Sequence, residues 1–308
     1  GGYAAVRERD RRSGLITTDG TIIPLKAICG GRKPCDDQSF SGFDGLESAS
    51  TKYAVVRVDE GGRPGWGLID ANLNYRPLPS AVFANAATVL PCTNHLVIYH
   101  PRTNKGFLGG LFNLDDDRLE LPVEYSCLYP SAESMWVASK AVVHNQIEHQ
   151  HMFYNVDTKD FLPERYTWAS PFSCGLGAVR LGGWDAEGRS FFVDENLQPA
   201  FDADFDGVDR FSFGLAAVYD GEDAGYIDAT GRMRLLLPYD RMMPFNRYGL
   251  ALANRDEAQW NIDIIDRDGK PRLGHLETAV FMDGDFPYFD VTLHGEKHLY
   301  SSNVELIY

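Results

Sequence analysis

The residues of this 308-residue chain best spaced for chemistry are Asp202, Asp204 and Asp206. Three carboxylates at alternate positions followed by Gly207 is how a calcium loop supplies oxygen ligands around a sharp turn. The ninth place of such a loop falls on Arg210 and the twelfth on Phe213, where calcium wants a water or acid and a bidentate glutamate. Calcium is therefore offered three ligands here and needs the rest from elsewhere. A second group is His144, Glu148, His149 and His151. A strand starting early puts His149 and His151 on one face, which suits zinc with water in the fourth place. The run Asp115-Asp116-Asp117 suits a cation, a basic partner or a solvated turn. Nothing matches a phosphate loop, a Gly-x-Ser-x-Gly elbow or a His-Glu-x-x-His helix, and no catalytic residue is assigned.

The elements that must position these groups are β-strands. Eight short segments, each an apolar pair closing on Asp, Asn, Thr or Ser, recur at a near-constant interval: Leu15-Ile16-Thr17, Leu68-Ile69-Asp70, Leu111-Phe112-Asn113, Phe153-Tyr154-Asn155, Phe192-Val193-Asp194, Tyr226-Ile227-Asp228, Ile264-Ile265-Asp266 and Leu299-Tyr300-Ser301. A period of about 40 residues is one supersecondary unit copied end to end. Copies start near residues 3, 53, 95, 136, 176, 215, 250 and 287, the first seven with a strand rich in small residues such as Leu215-Ala216-Ala217-Val218. Alanine and glycine are poor strand formers, so their recurrence predicts a crowded place, an inner strand beside a central axis.

The closing polar residue of a triplet begins a turn, as in Asp228-Ala229-Thr230-Gly231 and Asp266-Arg267-Asp268-Gly269. There Asp can bond its own backbone and Gly tolerates positive φ. A third strand follows, then a Tyr-Asp or Phe-Asp pair (Tyr239-Asp240, Phe205-Asp206), and then an aromatic and a glycine, as in Phe211-Ser212-Phe213-Gly214. Gly or Pro every ~8 to 12 residues, without helical periodicity, predicts an all-β protein. The expected architecture is a seven- or eight-bladed β-propeller, with an open β-hairpin solenoid as the alternative, in one repeat domain over residues 1–308.

At Gly65-Trp66-Gly67-Leu68-Ile69-Asp70 and from Phe211 to Asp228 the chain resembles the bacterial WG-repeat family, whose copies read as a Gly-Leu-Ala strand, a Trp-Gly-Tyr-Ile-Asp strand and a Phe-Gly link. Only Trp66-Gly67 keeps the Trp-Gly pair. Ser13, Gly109, His151, Ser190, Ala224 and Ile262 stand where the tryptophan would be. The resemblance implies a propeller-like scaffold without catalytic residues, used for binding, in some relatives beside secreted toxins or envelope proteins. It carries over no functional residue.

Forty-four acidic against 29 basic residues give a formal charge of -15. That field disfavours nucleic acid and anionic lipid and favours a basic protein partner. No window approaches the ~18 apolar residues of a membrane span, so no membrane insertion is expected. A small-molecule ligand is neither indicated nor opposed. Five scattered cysteines make no disulfide framework, which points to a cytoplasmic, reducing site, although Cys29 and Cys35 could bridge in an oxidising one. A periplasmic or secreted location follows if a leader has been trimmed ahead of Gly1-Gly2.

The expected contacts are the loops joining the small-residue strand to the triplet strand, because they recur at the same point of different copies. They hold Asp59 and Glu60, then Trp184, Asp185 and Glu187, then Asp220 and Glu222. A toxin-immunity role is one form of this reading. Its rivals are a carbohydrate hydrolase with carboxylates about 5.5 Å or about 6.5–9.5 Å apart and a metal-stabilised structural module.

Overall fold

The structure is a computed structural model that describes residues 3–7, 13–17, 21–24, 33–34, 40–41, 53–59, 64–70, 72–92, 94–101, 106–131, 133–143, 147–182, 188–221, 223–255, 261–282 and 288–307. Among these the regular structure is nearly all β, with one short helix, α1 (Ser80–Phe83).

Eight antiparallel sheets follow one another along the described residues. The first holds β1 (Tyr3–Arg7), β2 (Ser13–Thr17) and β3 (Ile22–Pro24). The second is built on β4 (Lys33–Pro34), β5 (Phe40–Ser41), β6 (Tyr53–Asp59), β7 (Pro64–Asp70) and β8 (Tyr75–Pro77). The third holds β9 (Thr88–Cys92), β10 (His95–Pro101), β11 (Phe107–Asn113) and β12 (Arg118–Tyr125). The fourth holds β13 (Cys127–Tyr129), β14 (Met135–Val143), β15 (Ile147–Asn155) and β16 (Asp160–Phe161), and the fifth β17 (Trp168–Ala169), β18 (Gly177–Leu181) and β19 (Arg189–Val193). The sixth holds β20 (Gly207–Val208), β21 (Leu215–Asp220), β22 (Asp223–Asp228) and β23 (Met233–Leu237). The seventh holds β24 (Arg241–Met242), β25 (Leu250–Asn254), β26 (Ile262–Asp266) and β27 (Pro271–Leu276), and the eighth β28 (Thr278–Met282), β29 (Tyr288–Leu293) and β30 (Glu296–Ser301).

The small-residue strand lies second in the sheets from β9 onward, flanked on both sides, rather than at an inner edge. In the sixth sheet, for example, β21 pairs with β20 and β22. Its crowding comes from two sheet neighbours and two packed faces. Ala54, Ala138, Ala216, Ala217 and Ala253 are each 0% exposed. The leading strand follows the Tyr-Asp or Phe-Asp pair, so the end of each sequence copy belongs in space to the next sheet.

All triplets end at a strand terminus, or one residue beyond it at Asp194. Their polar residue then folds the turn. Asp70 Oδ1 accepts the N–H groups of Asn72 and Asn74 at 2.9 and 2.8 Å. Asp266 Oδ1 accepts those of Asp268 and Lys270, both at 3.0 Å. Asn113, Asn155, Asp194, Asp228 and Ser301 do the same. Three residues after Asp70, Asp194, Asp228, Asp266 and Ser301 the backbone turns left-handed, at Leu73, Leu197, Gly231, Gly269 and Val304 (φ 59 to 78°). This is a type I turn with its G1 bulge. Glycine meets that demand in two copies, while branched side chains bear the strain in the others.

The chain divides into two compact units. One consists of Gly1–Ala132, Trp136–Ile147 and Tyr154–Asp160, the other of Glu133–Met135, Glu148–Phe153 and Phe161–Tyr308. In the first, Val55, Trp66, Leu68, Phe83, Leu96, Ile98 and Phe112 share one core, with Phe83 edge-on to Phe112 at 5.0 Å. In the second, successive sheets share clusters: Ala178 and Phe192 pack with Ala216, Val218 and Ile227, and Ala217 and Tyr226 with Ala251, Ala253 and Ile265. An aromatic of the triplet strand meets the phenylalanine 19 residues later, before the Gly turn: Phe153 with Phe172 at 5.0 Å, Phe192 with Phe211 at 4.9 Å, Tyr226 with Phe245 at 4.5 Å. Each such ring buries roughly 150–250 Å², so neighbouring copies stabilise each other.

Candidate functional site

The position of the family tryptophan is a cross-strand pair, and its two members trade volume. Trp66 opposes Arg57, whose guanidinium carbon stands 5.7 Å from the indole centroid, while the indole N–H donates to Ala86 O at 3.3 Å. In three of the copies that lose the tryptophan, the opposing residue is long and reaches the following leading strand or the residue just before it. Tyr99, opposite Gly109, donates to Leu128 O at 3.1 Å. Arg180, opposite Ser190, donates to Ser190 Oγ at 2.8 Å and Asp206 O at 2.6 Å, and is 3% exposed. Tyr219, opposite Ala224, donates to Met242 O at 2.7 Å. His151, which replaces the tryptophan in β15, is buried and bridges to Tyr166. It packs in the sheet.

The glycine after that position has its own cause. The β22–β23 pairing shifts register between Tyr226 and Ile227, and a Cβ on Gly225 would run into the Leu235 carbonyl. In β26 the same place holds Asp263, which is 1% exposed, and Gly274 opposite leaves room for its carboxylate. Oδ2 accepts from Arg255 Nε at 2.8 Å and Tyr239 Oη at 2.8 Å, with Arg255 Nη2 at 2.6 Å, and Oδ1 accepts the His275 N–H at 3.0 Å. Burial first, then the bond to Asp263, pushes the Tyr239 hydroxyl up to about 12. The bond to Asp263 also raises Arg255.

A second buried acid, Glu120 in β12, accepts from Asn113 Nδ2 at 2.7 Å and Tyr154 Oη at 2.8 Å, with His95 Nε2 at 3.4 Å. Burial pushes its carboxyl up, but the bonds from Asn113, Tyr154 and His95 prevail and hold it below its ordinary value. Sequence reading missed both acids. The available signal was Asp263 standing where Gly67 and Gly225 stand in sister copies, next to Gly274. Glu120 had no such signal.

Of the predicted contact residues, Asp220 is exposed at the end of β21 and pairs in register with Asp223, also exposed. Beneath their hairpin Asp206 Oδ2 accepts the Gly221 N–H at 2.9 Å. The equivalent residue of the preceding sheet, Thr167, donates to Gly182 O at 2.6 Å, so in these two sheets the residue before the leading strand pins this hairpin. Asp59 opposes Pro64 at the end of β6 and β7. Glu60, Trp184, Asp185, Glu187, Glu222 and His144 lie outside the described residues, as do Cys29 and Cys35, and the side chains of Glu148 and His149 are likewise not described.

The proposed calcium ligands Asp202, Asp204 and Asp206 are all exposed. Asp204 pairs with Arg189 at 2.9 Å and Asp206 holds the hairpin. Among the described residues no group of three or more His, Cys, Asp or Glu side chains is gathered as a metal would need. Of the acidic run, Asp115 accepts from Asn94 at 3.0 Å, Asp116 pairs with Lys159 at 2.6 Å and Asp117 with Arg76 at 3.4 Å. The described cysteines Cys92, Cys127 and Cys174 are free thiols. Among the described residues no helix is long and apolar enough to cross a membrane.

Serial antiparallel sheets of this kind define an all-β protein with a propeller-type fold. More particularly, the family model described as WG containing repeat matches residues 162–183 and 225–257. No curated protein matches the chain. Among solved structures, dipeptidyl peptidase 4 of Porphyromonas gingivalis is similar at 12% identity with a TM-score of 0.55, over 99% of this chain and 58% of that one. An uncharacterized protein of Listeria monocytogenes EGD-e is similar at 10% identity with a TM-score of 0.46, over 87% of this chain and 93% of that one. The first likeness concerns the fold alone.

Proposed function

We propose that this protein is a non-catalytic binding scaffold whose acidic hairpins receive a protein partner with a basic surface, toxin immunity being one form of that role. The observation that carries the reading is the Asp206–Gly221 clamp. It fixes a turn that presents Asp220 and Asp223 to solvent on strands whose own side chains are buried. Carboxylates held in one geometry lose less entropy on binding than mobile ones. In a chain of charge -15 they also speed encounter with a cationic surface.

The test is a pull-down from lysate of the source organism with the native protein and with D206A/D220N/D223N, at low and high salt. A basic protein retained by the native chain, lost with the triple substitution and released above about 0.3 M salt supports the reading. Equal retention by both chains overturns it.

A further inference from the structure

At the opposite end of β21 from the acidic hairpin, the chain turns through Phe213 and Gly214, with φ of 50° and 83°. Two left-handed residues make the tight hairpin turn that Asn-Gly or Gly-Gly normally fills. A residue with a Cβ is strained there. Burial does not offset it, because Phe213 is 53% exposed. Strain kept at an exposed aromatic points to use.

The surroundings supply the complementary chemistry. Arg267 Nη2 donates to Phe213 O at 2.9 Å. The same side chain runs past the next sheet's turn, where a Cβ on Gly249 would lie 3.2 Å from Arg267 Cδ. On that turn Tyr248 is 39% exposed, with the Arg247 guanidinium carbon 6.0 Å from its ring centroid. Two exposed aromatics and two exposed guanidiniums thus share one patch, with Asp268 the exposed acid beside them. Aromatic and Arg side chains dominate interface hot spots, and guanidinium matches carboxylate in a two-bond fork.

We propose that Phe213, Arg247, Tyr248 and Arg267 form a docking surface for an acidic peptide segment bearing an apolar anchor residue. Charge decides between this and a single-stranded nucleic acid, which rings and arginines also suit. A strand brings a phosphate with every nucleotide against a chain of charge -15, whereas a short acidic peptide brings a few carboxylates to two guanidiniums. The surface is independent of the acidic hairpins, and its failure leaves that reading intact.

Fluorescence anisotropy at about 0.15 M salt tests it with three probes: a random Glu-Tyr copolymer, poly-Glu and oligo(dT). The native chain is expected to bind the copolymer at least ~10-fold tighter than either other probe. Phe213→Gly, which relieves the turn, and Arg247→Gln are each expected to weaken it ~10-fold, while the urea midpoint of Phe213→Gly is no lower than native. Absence of binding, equal affinity for poly-Glu, tighter binding of oligo(dT), or native affinity in Phe213→Gly would overturn the proposal.

Discussion

Asp263 occupies, in β26, the place that Gly225 holds in β22, and its Oδ2 lies 2.6 Å from Nη2 of Arg255. A position where a Cβ on Gly67, Gly110 or Gly225 would meet a close neighbour has here become the anchor of a buried ion pair, because Gly274 leaves room across the strand. The Tyr239 hydroxyl completes the set.

Asp263→Ala leaves Arg255 and Tyr239 without their acceptor. Because Arg255 keeps 35% of its side chain in solvent, the expected loss is about 2–3 kcal/mol, toward the lower end for a broken buried pair. Urea denaturation reads it directly, and a loss below about 0.5 kcal/mol would show that the pair is immaterial.

Gly225→Ala forces a methyl against the Leu235 carbonyl, a backbone group that cannot rotate away. A cost of about 3 kcal/mol or more is expected. Circular dichroism on heating should show an earlier transition; a native melting temperature contradicts the crowding described.

Leu73→Gly should stabilise the protein by roughly 0.5–1 kcal/mol, since the left-handed turn residue then carries no Cβ. Gly231→Ala should do the reverse. Its φ is 78°, and the added Cβ would stand 2.8 Å from Phe201 Cγ. Two shifts of the same sign would refute the turn assignment.

Stability should fall at both extremes of pH. Glu120 has a folded value below its ordinary 4.5, so its contribution is complete above about pH 4.5 and disappears as pH drops through the lower folded value. Glu120→Gln should flatten that acid limb. Tyr239 and Tyr166 are each pushed up to about 12 from 10. The unfolded chain therefore releases these protons first, and stability declines from pH 10 toward 12. Urea midpoints between pH 3 and 11 measure both limbs, and a flat profile would oppose the assignment.

The fold was legible because its determinants are local. From Asp70 onward each triplet's polar residue bonds the backbone two residues on, so Asp228 and Asp266 announce their turns in sequence. The second-strand alanines were equally plain, but their place in the sheet was not. Crowding beside an axis and crowding between two strands select the same small side chains. The acidic hairpin at Asp220 was legible through its period. The clamp beneath it was not, since Asp206 also fits a calcium pattern and only the sheet register brings it to Gly221. The Arg180–Ser190 exchange escaped for a similar reason: a missing tryptophan shows in one strand, its compensation in the strand opposite.

The offset between motif and sheet fixes where this polypeptide can be severed. A fragment ending at Gly214, where the motif closes, would carry β20 without the β21 that it pairs with, leaving two unmatched residues at its tail. One ending just ahead of Gly207 would finish on whole sheets, and shortened versions drawn to that boundary are the ones to express.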